Sequence, residues 1–109
     1  MLKQLIGNRK EQLALLCQKH RVSTMFVFGS FAKGSETINS DIDLLVDIAE
    51  NDPIKKGELL MSLWDSLESF FSRKVDLLTP NSLQNPYLIK DIEQTKLLVF
   101  DGKEKEIFI

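Results

Sequence analysis

Cysteine, histidine, tryptophan and tyrosine each occur once in these 109 residues, proline three times and glycine five. A single thiol, Cys17, excludes an internal disulfide and any cysteine-rich zinc site, and it agrees with a reducing compartment. No uninterrupted apolar run exceeds a handful of residues, far short of the roughly 20 that a membrane-spanning helix needs. The first twenty residues mix Lys3, Arg9, Lys10, Glu11 and Lys19 through their apolar positions, so no secretory signal is expected and the expected location is cytoplasmic. A concentrated positive charge is also missing. Fourteen basic residues stand against sixteen acidic ones, a net charge of −2, and they are scattered. Direct nucleic-acid binding, which rewards clustered Lys and Arg, is therefore not expected. The small clusters Arg73-Lys74 and Lys103 to Lys105 read as solvated surface.

What is present is ordinary for a globular protein, with 43% hydrophobic and 28% charged residues. The length suits a single domain over residues 1–109. Leu2, Leu5, Ile6, Leu13 and Leu16 recur at helical spacing and predict one amphipathic helix over 2–19. Thr24 to Phe28 is a β-branched and aromatic run that stops at Gly29, as a strand entering a tight turn does. Residues 31–40 read as loop or a brief helical turn. Asp41 to Asp47 alternates, with Ile42, Leu44 and Val46 on one face and Asp41, Asp43 and Asp47 on the other. Asp52-Pro53 predicts a helix start, and the helix carries Leu59, Leu60, Leu63, Trp64, Leu67, Phe70 and Phe71 as a broad apolar stripe suited to a sheet. A strand over 74–78 follows, so the two strands flanking this helix are expected to be parallel. Asn85-Pro86 opens another helix to about Gln94, with Leu88, Ile89 and Ile92 inward. Leu97 to Phe100 is a fourth strand, and Asp101-Gly102 predicts a turn that folds back the tail. The expected architecture is α/β, of the α+β kind, with a short mixed sheet of about four strands, helices mainly on one face and an acidic site on the other.

Two sequence features meet in the region between the first two strands. Gly29-Ser30 makes a turn whose backbone N–H groups can approach phosphate oxygens. Ser40-Asp41-Ile42-Asp43 follows, and carboxylates two apart on a strand project from one face with Cα atoms about 7 Å apart. That spacing lets both converge on metal ions roughly 3.5–4 Å apart. Asp76, in Val75-Asp76-Leu77, can join them from a neighbouring strand. Such a cluster repels itself without a cation, and magnesium suits an all-oxygen site that shares its shell with phosphates. Asp41 and Asp43 are thus candidate ligands for the metal of a nucleoside triphosphate, and Asp76 for a second metal and for activating an acceptor hydroxyl. Gly29 and Ser30 would grip the β and γ phosphates, Lys33 would add charge, and Ser40 would orient Asp41 or cap the loop. Either feature alone is most often a plain turn or a solvated strand face. Their conjunction in an alternating apolar frame is what points to chemistry.

Between Gly29 and Val46 the sequence resembles the minimal nucleotidyltransferases of the DNA polymerase β-like superfamily. The family pattern is Gly-Ser, a variable residue, Ala-Arg-Gly, a short variable stretch and Ser-Asp-Ile-Asp-Leu-Leu-Val. Lys33 stands where the family usually has arginine, which keeps the charge but loses the planar fork that binds phosphate bidentately. The third family acid maps to Asp76. The resemblance implies the nucleotidyltransferase fold and magnesium-dependent transfer of a nucleotide, AMP from ATP, to a hydroxyl with release of pyrophosphate. It also implies an antitoxin whose acceptor is a tyrosine of a helical HEPN toxin. An antitoxin acting by binding alone, and a transferase for a small hydroxylated molecule, are the alternatives. Among single residues, Trp64 reads as core, His20 as a helix-end residue and Cys17 as a small buried side chain. Tyr87 reads as packing or surface, and Ile107 to Ile109 as a last edge strand or a docking patch.

Overall fold

β1 (Val22–Phe28) runs through the sheet beside β2 (Ile42–Ile48), with which it pairs in antiparallel register. The computed structural model describes residues 1–109. β3 (Val75–Leu78) lies on the far side of β2, and β4 (Leu97–Asp101) and the two-residue β5 (Glu106–Ile107) extend the sheet beyond β1. The order is β3-β2-β1-β4-β5. Only β2 and β3 are parallel, because a helical crossover joins them. The fifth strand is the folded-back tail: the turn after Asp101 pairs β5 with β4 and makes a sheet of five strands.

Alternation sorts the strands into two faces. Met25 and Val27 of β1, Ile42, Leu44 and Val46 of β2, and Val75 and Leu77 of β3 form one buried cluster with three helices. These are α1 (Leu2–Ile6), α2 (Lys10–Lys19) and α4 (Pro53–Phe71). The start of α4 is the predicted one, with the Asp52 carboxylate accepting the Ile54 N–H at 3.0 Å and proline in the first turn. The expected helix over 2–19 is broken in two. Gly7 takes φ +57°, a left-handed conformation that ends α1. Arg9 spans the break, donating to the Leu5 carbonyl at 2.7 Å and to the Phe70 carbonyl of α4 at 3.0 Å. Hydrophobic periodicity alone reads through such a break.

The opposite face is not bare. α5 (Pro86–Thr95) lays Ile92 against Phe28 and Leu45, with Phe26 and Leu78 beside them. Only its second half meets the sheet, so Leu88, expected inward, is exposed and Ile89 is half-buried. At the other end of the order, the outer edge of β3 is closed by α4. Trp64 Nε1 donates to the Val75 carbonyl at 2.8 Å, and the Glu68 carboxylate accepts the Val75 N–H at 2.9 Å. His20 ends α2 as expected and is buried. Its Nδ1–H donates to the Leu16 carbonyl at 2.8 Å, and Nε2 lies 2.9 Å from the Ser62 hydroxyl of α4.

Candidate active site

The turn after β1 is built around Gly29. With φ +69° it enters the short helix α3 (Ser30–Lys33), and Gly34, at φ +73°, leaves it. The N–H groups of Ala32 and Lys33 both donate to the Gly29 carbonyl at 3.1 Å. Those of Ser30 and Phe31 stand outside the turn's own bonds, as the leading donors of a helix do. Phe31 is buried in the main core and anchors the turn. Gly29 lies directly against Asp43: a Cβ there would collide with the carboxylate oxygen and come within 3.2 Å of its carbon. The conformation therefore favours glycine, and a side chain there would have to push the Asp43 carboxylate aside.

Asp43 is the second residue of β2, opposite Phe28 on β1 and Asp76 on β3. Adjacent strands are about 4.8 Å apart, so the register sets the two acids side by side on one face. Asp41 stands just before β2 and is partly exposed, while Asp76 is exposed on the edge strand. Burial pushes the half-buried Asp43 carboxyl up to about 6, and the charges of Asp76 and then Asp41 add to the rise. The Asp43 carboxyl thus feels both of its acidic neighbours. No three His, Cys, Asp or Glu side chains are drawn tightly enough together to enclose a single ion. The nearest cation to Asp41 is Lys74, 3.9 Å away and largely exposed.

The remaining expected residues divide. Lys33 lies on the turn and pairs with Asp91 of α5 at 3.1 Å. The Ser40 hydroxyl accepts the Thr37 N–H at 2.9 Å, so of its two expected roles it takes the loop cap. Arg73, expected as solvated surface, is partly buried and donates to the Ser40 carbonyl at 2.9 Å and the Thr37 carbonyl at 3.3 Å. Nothing in the sequence signals bonds to carbonyls 33 and 36 residues away. Further along the acidic face, a cleft of about 280 Å³ opens between the sheet and α5, lined by Phe26, Leu45 and Ile92 with Asp47 and Lys96.

A family profile described as polymerase β nucleotidyltransferase matches residues 11–105, which include the Gly-Ser turn and all three acids. The chain belongs to that family. A Methanocaldococcus jannaschii protein, provisionally named a protein adenylyltransferase, is 37% identical over 90% of this chain and 94% of its own length. The protein adenylyltransferase MntA of Thermococcus cleftensis is 32% identical over 74% of this chain and 75% of its own. Among solved structures, a toxin–antitoxin with AMP-PNP has the same fold, with a TM-score of 0.61 and 24% identity over 87% of this chain and 77% of that one. This nucleotidyltransferase therefore joins its family motif to the family fold. No helix in it is long and apolar enough to cross a membrane.

Proposed function

We propose that this nucleotidyltransferase moves AMP from ATP onto a hydroxyl of a partner protein, a tyrosine of a HEPN-type helical toxin, and so acts as the antitoxin in the cytoplasm. One observation carries the catalytic part: three carboxylates gather at the starts of β2 and β3, beside the glycine turn that ends β1, and the charges of the other two are felt at Asp43. The partner reading is supported by the names of relatives, which are protein adenylyltransferases, and by the toxin–antitoxin fold neighbour.

The donor set fits magnesium. It is all oxygen, half-open to the phosphates that would complete a shell, and it carries a carboxyl whose ionisation is opposed by its neighbours. Asp41 and Asp43 would hold the ion that accompanies the triphosphate, and Asp76 would complete the site of a second one. When bound, magnesium supplies positive charge to the phosphate oxygens and the attacking hydroxyl. The chain's own groups do the rest. The Ser30 and Phe31 N–H groups and the Ser30 hydroxyl bind the β and γ phosphates, and Lys33 adds charge on leaving Asp91. The acceptor oxygen attacks the α-phosphorus in line, the bond to the bridging oxygen breaks, and pyrophosphate leaves. Asp76, exposed on the edge strand, orients the incoming hydroxyl and takes its proton. An edge acid leaves room for an acceptor carried by another protein.

The test mixes the protein with its helical partner, ATP and magnesium, and follows the partner's intact mass. AMP adducts that vanish with Asp41→Asn and Asp43→Asn are expected. Inhibition of the partner with no adduct, surviving in both variants, overturns catalysis in favour of binding alone.

A further inference from the structure

Asp41 is the least supported of the three acids by regular structure. Asp43 and Asp76 sit within paired strands, whereas Asp41 precedes β2 at the end of the loop that leaves the Gly-Ser turn. What holds it comes from elsewhere in the chain. The carbonyl of Ser40, on one side of Asp41, accepts the Arg73 guanidinium at 2.9 Å. On the other side, the Ile42 N–H donates to the Lys74 carbonyl at 3.1 Å. Two consecutive residues thus bracket the acid. Arg73 reaches further: the same Nη1 donates to Thr37, and its guanidinium carbon stands 5.6 Å from the ring of Phe31, the buried anchor of the phosphate turn. Local backbone aims it there. Ser72 ends α4 with φ +50°, a left-handed step that turns the chain out of the helix before Arg73.

We propose that Arg73 is a positioning residue of the active site, coupling the phosphate turn to Asp41 by holding the loop between them. The inference rests on the reading of Asp41 as a magnesium ligand. One guanidinium nitrogen serves both carbonyls while its flat face lies over the Phe31 ring, and an ammonium would keep the donors but lose the flat face. The structure also supplies a matched control. Arg9 donates to two carbonyls and lies 4.1 Å from the centroid of the Phe70 ring, but at the α1–α2 break, outside the loop between the phosphate turn and Asp41.

The test measures Mg-ATP binding by calorimetry and residue-resolved amide exchange for the wild type, Arg73→Ala, Arg73→Lys, Arg9→Ala and Asp41→Asn. Loss of a group that orients a metal ligand typically costs ten- to a hundredfold in metal affinity, so about a tenfold weakening is expected for Arg73→Ala. Arg73→Lys should be intermediate and should keep the fold if the alanine variant does not. Exchange should quicken over residues 37–42 in the Arg73 variants only. If Arg73→Lys and Arg73→Ala bind Mg-ATP as Arg9→Ala does while Asp41→Asn weakens it, the positioning role is overturned and the site reading stands. If Asp41→Asn binds like the wild type, the site reading fails, and the positioning role with it.

Discussion

Asp76 stands in register with Asp43 across the parallel β2–β3 pair, and after burial its charge is the main cause that lifts the Asp43 carboxyl to about 6. The folded protein therefore holds this proton longer than the unfolded chain, where the value is near 3.8. Stability from this group falls as pH rises through the window from 3.8 to about 6, and stays lost above it. In metal-free protein, Asp43→Asn should then be stabilising at pH 7, on the order of 1 kcal/mol once solvent screening of a half-buried group is allowed for. Near pH 4 the gain should disappear. Thermal melts of both proteins across that range check this, and an equal gain at both ends would mean that ionisation is not its source. Magnesium with ATP should narrow the gap at pH 7 by stabilising the wild type.

Gly29 and Gly34 separate two costs that usually travel together. Both have positive φ, but a Cβ on Gly34 meets nothing within 4 Å, whereas one on Gly29 meets the Asp43 carboxylate. Gly34→Ala should cost only the left-handed strain, roughly 1–2 kcal/mol. Gly29→Ala should cost more and should abolish Mg-ATP binding. Combining it with Asp43→Ala should recover part of the lost stability, because the collision goes with the carboxylate. Denaturant unfolding of the single and double variants measures this coupling, and strict additivity would exclude the collision.

How much of this was legible beforehand depended on whether the information was local. The alternation of Asp41 to Asp47, the Asp52-Pro53 cap and the Asp101-Gly102 turn are short-range signals, and each is realised in the fold. The parallel pairing of β2 and β3 followed from the length of the crossover between them. The break at Gly7 was hidden because a glycine within a periodic run is tolerated in many helices. Leu88 misled for a related reason: helical spacing says which residues share a stripe, not where the sheet beneath them ends. In the site, the approach of Asp76 to Asp43 could be inferred from strand order, but Arg73 could not, since its partners are carbonyls that any residue would supply. Lys33 read as a phosphate ligand, and the pairing with Asp91 depends on where α5 crosses the open face.

That pairing makes Lys33 a shared cation. Both side chains are close to half exposed, so the pair contributes at most about 1 kcal/mol to the fold. Asp91→Asn should leave the melting temperature almost unchanged and free Lys33 for phosphate, tightening ATP about twofold, a few tenths of a kcal/mol. Lys33→Arg should tighten ATP further by restoring the planar fork. Lys33→Ala should weaken it whatever stands at position 91. Calorimetric titration with Mg-ATP separates these outcomes, and weaker binding in Asp91→Asn would show that the aspartate supports the site instead of competing for its lysine.

Trp64 and Glu68 take up both outward-facing polar groups of Val75 on the sheet's outer edge, one residue before Asp76. An unpaired edge strand invites pairing with another chain, and side-chain caps on its N–H and C=O are one way to blunt it. Trp64→Phe keeps most of the packing and removes only the donor, so its expected cost is about 1 kcal/mol, or roughly 4–8 °C in melting temperature for a domain of this size. Glu68→Ala frees the N–H as well, and the double variant should self-associate at lower concentrations than either single one. Light scattering against concentration, read beside the melts, decides it. Loss of stability without any change in self-association would assign the pair to packing alone.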